Sequence, residues 1–153
     1  MKHLSLPFLF LIIGLQCSAQ PLHTFKELLA ALKEGREVRA VIPYAQCSLV
    51  VDSAETKSPD AIGGMTLSPF EYFAPMSINN PKAFITSSQT VLISHAKRGY
   101  VYNYVKLKIF DDHSVEITAR YLHPSTFEIV MDEKFHCTIA QNEEASGVRL
   151  FAR

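Results

Sequence analysis

The chain has 153 residues, 48% of them hydrophobic, and its 15 basic side chains balance its 15 acidic ones. A chain of this length is typical of one domain with a single core. The balanced charge leaves no basic stripe, so a nucleic-acid partner is not expected.

Residues 1–19 predict a secretory signal peptide. Lys2 gives the chain a positive start, and residues 4–15 form an almost unbroken apolar run that is too short to cross a bilayer. Small residues follow this run, and they favour cleavage after Ala19.

Removal of this leader leaves residues 20–153, which we expect to form a single β-rich domain without a membrane-spanning segment. We expect this mature protein to be periplasmic or secreted. A lipoprotein with Cys17 as its lipidated residue is the disfavoured alternative. Gln16 stands before that cysteine, where a lipoprotein peptidase needs a small residue.

The mature chain keeps two cysteines, Cys47 and Cys137, and in an oxidising compartment such a pair is most simply a disulfide. In the chain-entropy model a bridge across so long a loop stabilises by about 4 to 5 kcal/mol. We expect it to join an early strand to a late one and so to tie the two ends of the sheet together. A nucleophilic Cys47 is the alternative, but the sequence places no base beside it.

One substantial helix is predicted near the start of the mature chain. Thr24 and Glu27 form a capping box, and Gly35 is suited to the left-handed position that ends a helix. Apolar residues recur at helical spacing between these signals, and they are Phe25, Leu28, Leu29 and Leu32. We expect this amphipathic helix to cover one open end of a sheet.

The stretch 99–124 predicts the central hairpin of the fold. Two runs of β-branched and aromatic residues flank a polar turn at 111–114. Alternation gives each strand one apolar face, carried by Val101, Val105, Leu107 and Ile109 and then by Val115, Ile117, Ala119 and Tyr121.

Further short strands are predicted on both sides of this hairpin. Pro43 should lie at an edge or a bend, and the two glycines of segment 62–67 indicate a bulge or a close backbone approach rather than a phosphate site. Residues 82–95 predict a hairpin. The apolar residues of segment 127–139 keep one parity through the charged triplet 132–134, so this segment is either one long strand with Glu133 on its apolar face or two strands with a tip at the triplet, and the tip is favoured.

Eight to ten short strands behind one amphipathic helix predict a mainly β fold, an antiparallel meander closed into a calycin-like barrel or folded as a sandwich. Closure is favoured because it removes exposed strand edges.

The sequence carries no motif for catalysis, for a metal or for a cofactor. The mature chain has five histidines without metal-site spacing, and these are His23, His95, His113, His123 and His136. The nearest cluster, residues 111–113, fits a solvated turn in which aspartates cap backbone amides. Ser94 and His95 should point to opposite faces of a strand, and Glu143 and Glu144 should face water.

Tyr100, Tyr102 and Tyr104 form a stripe on the outer face of the first hairpin strand. Such a stripe could stack a sugar or another flat ligand, or bind a partner. The alternative is that the tyrosines pack beneath a neighbouring loop with their hydroxyls at the rim.

Three segments in order carry a family resemblance: LLAALKEGREVRAVIPYAQC, then GGM, then NYVKLKIFDDHSVEI. In this order the chain resembles the VirK family of small exported bacterial proteins, over most of the mature chain. Pro43 departs from the pattern, which has a polar residue before the tyrosine. The shared motifs are structural rather than catalytic. The resemblance, to a family named from a virulence regulon, implies an export-dependent role in the envelope or toward a host.

Two functions are therefore expected. The first is an exported, non-enzymatic and virulence-associated protein that acts by binding an envelope or host protein. The alternative is a calycin-like carrier of a small apolar or amphipathic ligand, which needs a hollow barrel.

Overall fold

The computed structural model describes residues 19–51 and 54–153. The predicted leader, including Cys17, lies outside the described residues apart from Ala19. In the described part of the chain the elements in order are β1 Gln20–Leu22, α1 Phe25–Lys33, β2 Val38–Pro43, the 3-10 helix η1 Tyr44–Gln46, β3 Ser48–Val51, β4 Ala54–Lys57, β5 Ile62–Thr66, β6 Phe70–Phe73, β7 Phe84–His95, β8 Gly99–Phe110, β9 Ser114–Leu122, β10 Ile129–Thr138 and β11 Arg149–Ala152.

The named strands pair antiparallel in two sheets. The small sheet has the order β1-β11-β2-β5, and the large sheet has the order β4-β3-β10-β9-β8-β7-β6. Their inward faces and α1 share one hydrophobic core. The mainly β, antiparallel prediction with one amphipathic helix is confirmed.

The predicted closed barrel is wrong, and the calycin-like comparison is not confirmed. The large sheet ends at β4 and β6 and the small sheet at β1 and β5, so each sheet stays open. After β4 the chain leaves the large sheet to form β5 of the small sheet, and it returns to the large sheet at β6. The fold is therefore two sheets that cover each other's apolar faces, not one meander closed on itself.

The helix follows its sequence signals. The backbone amide of Glu27 donates to Thr24 Oγ1 at 3.2 Å, and the Glu27 carboxylate accepts from the backbone amide of Thr24 at 3.0 Å. Gly35 follows the last turn with a φ of +76°, the left-handed conformation in which glycine has no steric penalty. Phe25, Leu28, Ala31 and Leu32 are the buried residues of α1.

The central hairpin is confirmed as β8 and β9, with residues 111–113 in the turn. Its inward positions build the core. Leu107, Ile109, Val115 and Ile117 are each about 1% exposed or less, as the alternation predicted.

Two predicted strand breaks do not exist. Residues 84–95 form the continuous strand β7, because every residue from Phe84 to His95 has a partner in β8, so tertiary pairing overrides the polar residues 87–89. Residues 129–138 likewise form the continuous strand β10 without a tip at 132–134.

The disulfide prediction is supported, with one correction. Cys47 and Cys137 lie at bonding distance, with their Cα atoms 4.6 Å apart. Cys47 directly precedes β3, which pairs with β10, so the bridge joins neighbouring strands rather than the two ends of a sheet. It fastens the point at which the chain passes from the small sheet through η1 into the large sheet. Pro43 ends β2 at this bend, as predicted.

No helix within residues 19–51 and 54–153 is long and apolar enough to cross a membrane.

Candidate functional site

The inward face of the large sheet changes from mostly apolar to mixed polar along its strands. One row across the sheet consists of Ser87, Leu107, Ile117 and Phe135, and all four are buried. The next row replaces them with Gln89, Val105, Ala119 and Glu133. The row beyond that is Val91, Asn103, Tyr121 and Met131. The apolar core therefore opens, within one row, into a mixed polar surface.

A cleft of about 260 Å³ lies at this transition, between the two sheets. Its floor comes from β8, β9 and β10, and its far wall comes from Ile42, η1 and the glycines of β5. Four polar side chains line it, and they are Tyr44, Asn103, Tyr121 and Glu133. We call this the inter-sheet cleft.

Tyr44 is held in the wall of the cleft by two contacts. Its ring centroid lies 4.8 Å from that of Phe135 in a tilted arrangement. On the other side, a Cβ at Gly63 would lie 2.9 Å from Tyr44 Cε2, so only glycine leaves room for the ring. The close backbone approach predicted for the two glycines is thus confirmed at Gly63.

The electrostatics of the inter-sheet cleft come from one carboxylate. Burial raises the pKa of the Tyr44 hydroxyl above its usual value, and electrostatic interaction with the nearby Tyr121 hydroxyl and the Glu133 carboxylate raises it further. Glu133 is half-buried, and its side chain has neither a hydrogen bond nor an ion pair with any residue that the structure describes. Glu133 is the one charged residue in the described lining of the cleft.

The opposite face of the large sheet carries an apolar row. Leu92, Tyr102, Leu122 and Ile129 are successive partners across β7, β8, β9 and β10. The ring of Phe127 stacks on that of Tyr102 at 5.9 Å, with an angle of 7° between the ring planes. We call these five residues, together with the neighbouring Tyr100, the distal apolar row.

The chain can now be compared with known proteins. A family model described as VirK protein matches residues 21–127. The chain belongs to the VirK family. A crystal structure of a VirK family protein from Legionella pneumophila matches with a TM-score of 0.65 and 18% identity, over 87% of this chain and 99% of that one. That match supports the fold, and a search of curated proteins gives no significant match.

The tyrosine stripe of this VirK chain is divided by the structure. Tyr100 is 67% exposed, whereas Tyr102 lies beneath Phe127, so both predicted environments occur on one strand. Tyr104 pairs in register with Arg120, whose guanidinium donates two hydrogen bonds to Asp132 at 2.9 and 3.1 Å.

The histidines of the VirK chain do not converge on the inter-sheet cleft, whose described lining contains none. The ring of His95 packs edge-on against Tyr121 at 5.3 Å. His123 Nδ1 accepts from the backbone amides of Ser125 and Thr126 at 3.3 and 3.2 Å. No group of three His, Cys, Asp or Glu side chains among residues 19–51 and 54–153 could hold a metal ion.

The turn at 111–113 is built by its aspartates. Asp111 accepts from the backbone amide of Ala83 at 3.2 Å, and Asp112 accepts from that of Ser114 at 3.1 Å. Hydrogen bonds from Lys82 and then from Ser114 hold the pKa of Asp112 well below its usual value. Both carboxylates therefore cap backbone amides, as the solvated-turn interpretation predicted, and Asp112 also pairs with Lys82.

The remaining candidate pairs are separated or exposed. Ser94 is exposed on the outward face of β7, whereas His95 is half-buried on the inward face. Glu143 and Glu144 are exposed in a loop.

The cleft residues Tyr44, Tyr121 and Glu133 were not selected from the sequence. One signal was present: Glu133 has the parity of the apolar residues in its strand. The continuous β10 corresponds to the one-strand alternative rather than to the favoured tip, and the parity indicates an acidic side chain on the inward face.

Proposed function

We propose that this VirK protein is exported and acts without catalysis, by binding a partner protein in the envelope or toward a host through the distal apolar row. The observation that carries the proposal is the exposure of this row. Leu92, Tyr100 and Ile129 of the large sheet are 51%, 67% and 52% exposed, and Phe127, in the loop between β9 and β10, is 63% exposed. Contiguous exposed apolar surface on a sheet is typical of interaction sites.

The neighbouring rows favour a partner of defined chemistry. Next to the distal apolar row lie Arg120 and Asp132, which neutralise each other. Beyond them, Lys106 and Lys134 flank Thr118 in register. A partner surface with an apolar centre and an acidic flank would complement this arrangement.

Site-specific photo-crosslinking in the native host tests the proposal. A photo-reactive residue is placed at Tyr100, and the matched control places it at Ile78, an exposed apolar residue (56%) outside the row. We expect a discrete protein adduct in an exported fraction from Tyr100 alone, and we expect the added change Phe127→Ser to abolish it. An adduct of equal yield at Ile78, a chain that keeps its leader in the cytoplasm, or no adduct at Tyr100 contradicts the proposal.

A second candidate function is a carrier of a small amphipathic ligand, and the inter-sheet cleft favours it. The cleft combines apolar walls with a few convergent polar groups, as small-molecule sites do. Because the sheets do not close, such a ligand would lie between them rather than inside a barrel.

A further inference from the structure

We propose that the inter-sheet cleft binds a small organic ammonium ion, with the Glu133 carboxylate holding the charged head between the rings of Tyr44 and Tyr121. The inference rests on the second candidate function, ligand binding in the cleft, and names the ligand class.

The position of Glu133 is the first step. On β10 the inward residues Phe135 and Cys137 are 1% and 9% exposed, and Glu133 is the next inward residue along the strand. An ionised carboxylate at the margin of a core loses part of its hydration, which is costly unless an opposite charge or donors compensate. No described residue donates a hydrogen bond to the Glu133 side chain or pairs with it, so water or a ligand has to supply this compensation.

The charge of the cleft selects the ligand. Glu133 is the one charged side chain of the described lining, which includes no lysine, arginine or histidine. An anionic ligand would meet an uncompensated like charge, and a neutral ligand would leave the negative charge uncompensated. A cation both neutralises the carboxylate and donates hydrogen bonds to it.

The aromatic side chains favour an organic cation over a bare metal ion. The rings of Tyr44 and Tyr121 both line the cleft, and Gly63 and Phe135 fix the position of the Tyr44 ring. Rings attract an ammonium group through their negative faces. A metal ion would need several oxygen or nitrogen ligands, and no three His, Cys, Asp or Glu side chains of the described residues are grouped so that they could hold one.

The apolar walls of the cleft determine the size and polarity of the uncharged part of the ligand. Ile42, Val105 and Met131 face the same space of about 260 Å³, which is small for a ligand site. A single ring or a short aliphatic chain with one ammonium group matches this size and polarity.

The test compares three probes with the same body and different charge. Phenethylammonium, phenethyl alcohol and hydrocinnamate are titrated separately into the purified disulfide-bonded protein by isothermal titration calorimetry. We expect phenethylammonium to bind about tenfold or more tightly than the alcohol, and hydrocinnamate not to bind. Glu133→Gln should reduce the affinity for phenethylammonium to that of the alcohol.

Two controls accompany this variant. Glu116→Gln makes the same charge change at an exposed residue on the outward face of β9 and should leave binding unchanged. Thermal unfolding of Glu133→Gln should give a midpoint equal to or above that of the parent, since the variant loses no partner in the described chain and removes an uncompensated carboxylate from the margin of the core.

The outcomes separate the ligand class from the carrier function. If the alcohol or hydrocinnamate binds as tightly as phenethylammonium, or if Glu133→Gln binds the cation as well as the parent, the ammonium proposal is wrong and the cleft remains a ligand site. If no probe binds and hydrophobic dyes also fail to bind, both the ammonium proposal and the carrier function are wrong.

Discussion

The ring of Tyr44 lies so close to the backbone of Gly63 that a Cβ on Gly63 would stand 2.9 Å from Tyr44 Cε2. This contact joins the bend between the two sheets to β5, and it shapes one wall of the inter-sheet cleft. A glycine that the sequence marks only as a break in a strand thus makes room for an aromatic ring.

Gly63→Ala should destabilise the protein by about 1 to 3 kcal/mol, because the added methyl group displaces the Tyr44 ring from its contact with Phe135. Gly64→Ala is the matched control, since its Cβ would lie 3.5 Å from the carbonyl oxygen of Ala40, an ordinary contact. Urea unfolding measures both free energies. Equal stabilities of the two variants would contradict the role of the Tyr44 contact.

Loss of the disulfide should lower the free energy of unfolding by about 2 to 5 kcal/mol, because the bridge closes a loop with a sequence separation of 90 residues in the unfolded chain. The double variant Cys47→Ala/Cys137→Ala and the reduced parent protein should agree within about 1 kcal/mol. Guanidinium unfolding with and without reductant provides the comparison. A reduced protein as stable as the oxidised one would show that the bridge does not form.

Phe127→Gly should be more stable than Phe127→Ala by about 0.5 to 1 kcal/mol. Phe127 has a φ of 60°, a conformation that glycine adopts freely and alanine does not. Both variants lose the ring that stacks on Tyr102, so both should lose the partner adduct at Tyr100. Thermal unfolding gives the order of stability, and the reverse order would mean that the loop relaxes when the ring is removed.

Asp112→Asn should lower the stability by up to about 1 kcal/mol at neutral pH, the usual limit for an exposed ion pair. Because folding lowers the pKa of Asp112 below its unfolded value of 3.8, its contribution is complete above that value and is lost progressively as the pH falls below it.

Unfolding free energies of parent and Asp112→Asn, measured from pH 7 downward, should therefore converge in acid. Asp60→Asn is the matched control, since it makes the same change at another exposed aspartate. A constant difference between parent and Asp112→Asn at every pH would contradict the Lys82 pairing.

Local signals in the sequence predicted most single elements. The capping box of α1, the hairpin of β8 and β9 and the left-handed Gly35 were all correct, since each depends on residues adjacent in the chain. The breaks predicted in β7 and β10 were wrong, because each polar stretch is held in a strand by its neighbours. Of the candidate surfaces, the sequence indicated the tyrosine stripe, whose function stays a prediction, and it gave no indication of the inter-sheet cleft.

By itself the sequence determined the alternation of apolar and polar residues, the terminal signals of the helix and the cysteine pair, because these are properties of spacing along the chain. Only the tertiary structure decided that two open sheets face each other, that the bridge joins β3 to β10, and that Glu133, Tyr44 and Tyr121 line one cleft. The physical reason is that strand order is chosen by burial across the whole chain. A side chain on the inward face of its strand lies in the core or in a cleft, depending on which strand packs over it.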